Sequence, residues 1–429
     1  MPMSPDFQAR AFPILEAVAA HFGTPFHWYD EVGMRQTGQA LRDAFADVQG
    51  FREYFAVKAL PNPRILAILS SMGFGFDCSS IPELVLSRGI GARGKDIMFT
   101  SNNTSREEFE AAAADGGCIL NLDDITLLDK VDPLPALICF RYNPGARRSG
   151  NAIIGNPAEA KYGISHDQFL DAYRAARDRG VQRFGLHTML VSNERDYRYM
   201  VETVKMLLEL IELAAEKLGI TFEFINMGGG LGIPYRPDEA PLDLPSLGNS
   251  ITALFAQFAA RNGYVPQLFM ESGRYVTGPH GILVTRAINH KDTYRRYIGV
   301  DACMSALMRP GMYSAYHHID VLEKSFEGGT QTVDVVGSLC ENNDKFAIQR
   351  TLPTIDDGDL IIIHDSGAHG HSMGFTYNGR LRPQELLLCG DGTVERIRRS
   401  ETIDDYFATL TFEPDVMVAG EHKIIHNLP

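Results

Sequence analysis

The sequence predicts an α/β protein in which a parallel (β/α)8 barrel is followed by a mainly-β domain. Three observations predict it. Short apolar runs alternate about eight times with stretches of helical periodicity. Polar, reactive side chains recur at the ends of those runs, where a barrel would converge them. From about Pro279 the rhythm changes to alternating β-type segments separated by turns such as Asp356-Asp357-Gly358 and Asp391-Gly392.

The elements follow in chain order. GTPFHWYD reads as a strand and residues 31–45 as a helix. Eight barrel strands are expected at 53–57, 75–78, 97–100, 118–122, 136–141, 183–189, 222–227 and 267–271. Helices are expected between them at 63–72, 81–88, 105–114, 124–131, 166–179, 194–218 and 247–261. Ser105 ahead of Glu107 and Glu108 can cap free amides and suits the positive end of a helix dipole. Later β segments are expected at 281–289, 332–336, 359–364 and 395–398. Three regions result: an N-terminal segment, 1–33, completing the β domain; a TIM-like barrel, 34–278; and a C-terminal β domain, 279–429.

The strand ends supply a test that needs no motif. Lys58 follows the first strand, Asp77 and Ser79 close the second, and Ser101 and Asn102 the third. Asn121 ends the fourth, Arg141 and Asn143 the fifth, and His187 lies near the end of the sixth. Gly228 to Gly230 follow the seventh and Glu271 ends the eighth. The catalytic face of a barrel is built at this end.

Composition narrows the function classes. The 429 residues carry 40 Lys plus Arg against 54 Asp plus Glu, a formal charge of -14, whose field repels phosphate backbones and acidic lipid surfaces. Neither nucleic acid nor membrane is an expected partner. No basic region leads into an apolar stretch at the start, and no run of some 18 apolar residues occurs. Cys78, Cys118, Cys139, Cys303, Cys340 and Cys389 are scattered with no C-x-x-C pair, which reads as free thiols in a reducing, cytoplasmic compartment.

Lys58 sits among Phe55, Val57, Ala59 and Leu60. Burial there would lower its pKa and favour the neutral amine that condenses with an aldehyde; the alternative is a lysine reaching to solvent from a strand end. In INMGGGLGIP the three glycines let backbone amides approach a phosphate, or form only a tight turn. The spacing is not a dinucleotide fingerprint. Glu271 in ESGR could hold a pyridine nitrogen protonated, and Arg274 could grip a phosphate or carboxylate; a structural ion pair is the other reading. Cys340 stands beside Glu341, and Arg309, Tyr313 and Tyr316 suit an amino-acid carboxylate. His369 and His371 form a His-x-His pair without a third ligand, so no metal is expected.

In this order FAVKAL, FDCSS, RYNPG, KYGI, GLH, GGGLG, ESGR, VDACMSALMRPGMY, GSLCENND and DSGAHGHSMGFTYNGRLRP resemble the fold-type III pyridoxal-phosphate-dependent decarboxylases. The similarity spans nearly the whole chain. It implies the alanine racemase-like barrel plus β domain, pyridoxal 5'-phosphate bound by the barrel, and a head-to-tail homodimer with shared active sites. It also implies loss of carbon dioxide from a small amino acid, foremost meso-2,6-diaminopimelate to give L-lysine. By the resemblance Lys58 would tether the cofactor, helped by Asp77, Arg141, His187, Gly228, Gly229, Gly230, Glu271, Gly273, Arg274 and His369. Arg274, Arg309, Tyr313, Glu341 and His369 would read the substrate, and Lys58, Cys340 and His187 would be catalytic, with Cys340 donating a proton across the dimer.

The rival substrates are ornithine, lysine, arginine and a carboxylated polyamine intermediate such as carboxynorspermidine. Racemisation, and a non-catalytic binding role, are the alternatives of other classes. Three positions depart from the family pattern: Met189 and His369 stand where histidine and tyrosine are usual, and Ser272 replaces a proline.

Overall fold

The computed structural model describes residues 3–151 and 155–413. The last stretch of the expected β domain, 414–429, lies outside the described residues. Strand β1 is Phe26–Asp30; the barrel strands are β2 Arg52–Ala56, β3 Gly75–Cys78, β4 Gly94–Ser101, β5 Cys118–Leu122, β6 Leu137–Arg141, β7 Arg183–His187, β8 Phe222–Asn226 and β9 Gln267–Met270. They form a closed parallel barrel in sequence order, sealed where Arg52 and Glu53 of β2 pair with Phe269 and Met270 of β9.

Each barrel strand is short and apolar because both of its faces are buried, one against helices and one inside the cylinder. The inward layer at the N-terminal end is filled by Tyr54, Met98, Ile119, Cys139, Phe224 and Phe269, with Phe224 and Phe269 stacked at 4.4 Å. This plug leaves the opposite end free to open as a cavity. The helices start where local chemistry allows: Ser105 and Glu108 form a reciprocal capping box, Asn62 caps Arg64 ahead of Pro63–Ser71, and Asp196 caps Arg198, so that helix begins at Tyr197.

The remaining strands are β10 Gly281–Asp292, β11 Arg296–Val300, β12 Ile319–Val321, β13 Thr330–Val336, β14 Lys345–Pro353, β15 Leu360–Ile363, β16 Gln384–Leu388 and β17 Val394–Arg398. They share a nine-stranded sheet with β1, which runs antiparallel to β10 and parallel to β16. Two apolar clusters hold this sheet, one around Ile298, Val333 and Ile361, the other around Trp28, Phe7 and Ile362.

Three expectations need correction. The segment 124–131 is a 3-10 helix, Ile125–Lys130, because Pro133 and Pro135 leave it less than two turns of α-helix. Two N-terminal helices, Pro5–Ala11 and Leu15–Phe22, had gone unread although Ser4 caps the first and Phe7, Ala11 and Leu15 repeat at helical spacing. Strands β11, β12, β14 and β16 add to the expected set: β11 and β14 pair antiparallel with the strands just before them, β10 and β13, whereas β16 pairs with β1 from the other end of the chain.

The β domain reaches the barrel mouth through the loop that carries His369. The His369 N–H donates to the Ala59 carbonyl at 2.9 Å and the Ser372 hydroxyl to the same oxygen at 3.3 Å. Behind it, Tyr29 and Asn62 both donate to the buried Glu385, at 2.7 and 3.1 Å, fixing the domains against each other.

Candidate active site

A cavity of about 390 Å³ opens at the C-terminal end of the barrel, lined by Lys58, Arg141, His187, Met189, Gly229, Gly230, Glu271, Gly273, Arg274 and His369 among others. Lys58 lies on the single turn Val57–Ala59 that follows β2, so the backbone aims its side chain over the mouth. Its ammonium is 3.3 Å from Asp77 Oδ2 on β3. Gly273 packs against this turn so closely that a Cβ there would come within 2.6 Å of the Ala59 Cβ.

The charge balance reverses one expectation. Burial does oppose the Lys58 charge, but Asp77, Glu271 and Glu83 together outweigh it and hold the ammonium above its ordinary pKa. Lys58 thus waits as a cation among carboxylates, not as a desolvated neutral amine. Asp77 responds in the opposite sense: burial first, then repulsion from Glu271, push its carboxyl up to about 7 despite Lys58. Its other oxygen, Oδ1, is buried without a hydrogen-bond partner.

That shift has a measurable consequence for stability. Asp77 titrates near its ordinary value when unfolded and near 7 when folded, so its contribution is present at low pH and lost as pH rises towards 7. Asp77→Asn, which cannot ionise, is expected to gain stability over the parent as pH rises from about 4 to about 7, by up to a few kcal/mol. Urea unfolding of both cofactor-free proteins at pH 5 and pH 8 checks this; an equal difference at both values contradicts it.

Glu271 follows β9. Burial would raise its pKa, but His187, Lys58 and Asn226 overcome that and hold it below the ordinary value. The geometry shows how: Glu271 Oε2 is 3.1 Å from His187 Nε2, and Oε1 accepts from Asn226 Nδ2 at 2.8 Å. A carboxylate only accepts, so Nε2 carries the imidazole proton and the buried Nδ1 is left unpartnered.

The glycine bend after β8 is glycine for steric reasons. A Cβ at Gly228, Gly229 or Gly230 would approach the carbonyl oxygens of Thr188, Glu271 or Val191 to 2.3, 2.4 or 2.5 Å, and Gly228 and Gly230 have positive φ. The Gly228 N–H donates to Asn226 and the Gly229 N–H to Met189 Sδ at 3.2 Å. Ser192 beside the bend receives Arg274 at 3.4 Å. Arg274 also donates to the Tyr235 hydroxyl, and its buried Nε has no partner.

Arg309 approaches the same Tyr235 ring, 5.1 Å from its centroid, with Arg274 at 5.8 Å. Both guanidiniums are buried, and among the described residues neither has a carboxylate within 4 Å. Burial and the nearby Arg274 charge lower the Arg309 pKa. His369 has a positive φ and is half-buried close to Arg274, Arg309 and Lys58; loss of solvent and those charges push its pKa well below the ordinary value, so it is neutral. Arg141 covers the Tyr162 ring at 4.3 Å and lies 3.6 Å from Asp123.

The remaining expected residues lie elsewhere. Cys340 and Glu341 are exposed and line a groove of the β domain with Tyr294 and Tyr297. Tyr313 is exposed at the end of Arg309–Tyr313. His371 points away from His369, to the Pro383 carbonyl at 3.1 Å and the His27 ring at 5.8 Å. Among the described residues no group of three or more His, Cys, Asp or Glu side chains could hold a metal ion. Sequence reasoning missed Asn226, Ser192 and Tyr235. For Asn226 the signal was an amide at the end of an otherwise apolar strand; Tyr235 carried none.

The donor set has two distinct ends joined by a lysine. At the bend the Gly228 and Gly229 N–H groups are taken by Asn226 and Met189, so the Gly230 N–H and the Ser192 hydroxyl suit an oxyanion, and a carboxylate held ionised suits a protonated ring nitrogen. Around it Asp77 Oδ1, His187 Nδ1 and Arg274 Nε are buried polar atoms without a hydrogen-bond partner. A phosphorylated pyridine aldehyde fits this arrangement.

Comparison with known proteins agrees. Residues 34–278 match the family described as pyridoxal-dependent decarboxylase, pyridoxal binding domain. Protein TabA of Pseudomonas amygdali pv. tabaci is 47% identical over 96% of this chain and 97% of its own length. The diaminopimelate decarboxylase of Methanothermobacter thermautotrophicus is 35% identical over 90% and 92%. The crystal structure of diaminopimelate decarboxylase from Helicobacter pylori complexed with L-lysine superposes with a TM-score of 0.83 at 27% identity, covering 92% of this chain and 98% of that one.

Proposed function

The chain belongs to the pyridoxal-dependent decarboxylase family, a fold-type III carboxy-lyase using pyridoxal phosphate, and from this premise we propose that it converts meso-2,6-diaminopimelate to L-lysine and carbon dioxide. The observation that carries the substrate reading is the pair Arg274 and Arg309. Two buried guanidiniums without a carboxylate beside the Lys58 cavity call for carboxylates from a ligand. The names of the relatives support the same substrate.

Bound pyridoxal phosphate supplies the electron sink for the pair left behind when carbon dioxide departs. In this reading Lys58 would hold the cofactor covalently, as the amine at the cavity mouth. The bend Gly228 to Gly230 would hold the phosphate with Ser192, Gly230 through its N–H. Glu271 would keep the ring nitrogen protonated, and His187 steadies Glu271. Asp77 stands ready to take a proton from Lys58, which it contacts. Arg141, Gly273 and His369 close the cavity against water. Arg274, Arg309 and Tyr313 orient substrate carboxylates so that the breaking bond can align with the ring.

Two further features complete the reading. Cys340 and Glu341 lie outside their own chain's cavity, so in a head-to-tail homodimer the partner subunit's Cys340 would return a proton to the substrate carbon, and the partner subunit's Glu341 would read the distal amine. Exposed Ile288, Tyr294, Met312 and Tyr377 supply apolar surface for such a dimer. All six cysteines are free, which suits the reducing cytoplasm, and among the described residues no helix is long and apolar enough to cross a membrane.

Cys340→Ala is expected to lower kcat by about 10²-fold or more, the usual worth of a positioned acid, while cofactor absorption persists. Steady-state turnover and the visible spectrum check it; unchanged kcat removes Cys340 from proton return.

The substrate is tested by measuring carbon dioxide release with added pyridoxal phosphate on meso-2,6-diaminopimelate, ornithine, lysine, arginine and carboxynorspermidine. A kcat/KM for meso-2,6-diaminopimelate at least about 100-fold above the rest is expected, and a higher value for any other overturns the reading. The same panel tests a second reading, action on another amino acid with a distal amine. Chiral analysis of the recovered amino acid separates both from racemisation.

A further inference from the structure

Asn226 ends β8 with its side chain fully buried, and it belongs to neither the phosphate bend nor the carboxylate after β9. Its amide nitrogen donates to Glu271 Oε1 at 2.8 Å, and its amide oxygen accepts the Gly228 N–H at 2.8 Å. The partners dictate which end is which, since an ionised carboxylate only accepts and a backbone N–H only donates. Asparagine satisfies both at this length. Aspartate cannot donate, and leucine of the same shape can do neither.

The backbone closes a ring around this contact. The Glu271 N–H donates to the Gly228 carbonyl at 2.9 Å, and a Cβ at Gly229 would strike the Glu271 carbonyl at 2.4 Å. Glu271 and the bend are therefore joined by main chain on one side and by Asn226 on the other. The second Glu271 oxygen is held from β7 by His187 at 3.1 Å. Among the groups facing this carboxylate, His187 and Lys58 favour its charge, whereas Asp77 and Glu53 oppose it. Asn226 is the neutral donor in the set, and it alone also grips the bend.

We propose that Asn226 is a positioning residue that sets the Glu271 carboxylate in register with the glycine bend, so that a cofactor seated by its phosphate meets an ionised carboxylate at its ring nitrogen. It touches no reacting atom and acts through Glu271. This rests on pyridoxal phosphate occupying the cavity, as the family requires, and is independent of which amino acid is decarboxylated.

The test uses the holoenzyme reconstituted with cofactor labelled with ¹⁵N in the ring, whose chemical shift reports protonation of that nitrogen. In the parent the shift is expected in the protonated range. In Asn226→Asp, which retains the acceptor for Gly228 but sets a carboxylate against Glu271, it is expected to move towards the unprotonated range. On whichever substrate the parent turns over, kcat is expected to fall by about 10²-fold with KM held within about threefold.

The double variant Asn226→Asp/Glu271→Gln restores one donor and one acceptor between the two positions. Recovery of melting temperature and cofactor retention is expected there, with the ring nitrogen still unprotonated. An Asn226→Asp holoenzyme with the parental ¹⁵N shift overturns the proposal whatever its turnover. Loss of cofactor binding that the double variant fails to recover also overturns it, because Asn226 would then serve only folding. Failure of the parent to release carbon dioxide from meso-2,6-diaminopimelate would overturn the substrate reading and leave the ring-nitrogen measurement intact.

Discussion

Lys58→Ala is expected to reduce carbon dioxide release by at least about 10⁴-fold and to abolish the visible absorption band of the bound cofactor, the band that borohydride removes from the parent. The size follows from what Lys58 alone supplies. Among the cavity-lining residues it is the single primary amine, so nothing else there can hold an aldehyde covalently. It also neutralises a negative site: Asp77 and Glu271 both draw on its charge, and Asp77 is 3.3 Å away. Alanine therefore removes a tether and leaves two buried carboxylates short of a cation, a cost to folding as well as to chemistry.

Lys58→Arg separates the two effects. Arginine keeps the charge but is never deprotonated in proteins, so it cannot condense with an aldehyde. The arginine variant is expected to melt close to the parent while matching alanine in lost absorption and turnover. A borohydride-sensitive band in either variant would move the tether elsewhere. The raised pKa of Lys58 adds a kinetic expectation: the ammonium must lose a proton before it can react, and Asp77, with its carboxyl near 7, is the acceptor in contact. Reconstitution of the cofactor-free enzyme should accordingly slow as pH falls below about 7, seen as the rate at which absorption grows.

How far the sequence revealed all this depends on how local each feature is. The barrel was legible because each strand is a short, largely apolar run with a polar residue at its end or within two positions after it, and both halves of that signal lie within a few residues of each other. Gly75–Cys78 and Cys118–Leu122 were read to the residue for this reason. The positions at strand ends were legible on the same grounds, and Lys58, His187, Glu271 and the glycine bend do line or border one cavity.

Features set by distant partners were not legible. The β-domain order cannot be read from β1 or β16, because they pair with each other from opposite ends of the chain. The pKa of Lys58 went the wrong way because its flanking apolar residues are local, whereas Asp77, Glu83 and Glu271 arrive from β3, the helix after it and β9. Asn226 was overlooked for a related reason. One amide at a strand end means little until Gly228 and Glu271 are placed on either side of it.

Glu271→Gln is expected to keep the cofactor bound while lowering kcat by about 10³-fold, with KM little changed. The charge on Glu271 is maintained at some expense, since burial opposes it and His187, Lys58 and Asn226 must together overcome that opposition. Glutamine retains the length and one acceptor, so it can still accept from His187 or Asn226, with its own N–H groups set against the other. It loses the negative charge that makes a proton on the facing ring nitrogen favourable, and the ring then accepts the substrate's electron pair poorly. The same change should be felt at Asp77. Repulsion from Glu271 is second only to burial in raising that carboxyl to about 7, so glutamine at 271 is expected to return it towards the ordinary carboxylate range. Two measurements thus follow from one substitution: single-turnover decarboxylation on the bound cofactor, and the pH midpoint for reconstitution through Lys58, which should move to lower pH. A Glu271→Gln enzyme with parental turnover would show that the ring nitrogen needs no charged partner here. An unmoved midpoint would show that Asp77 is raised by burial alone.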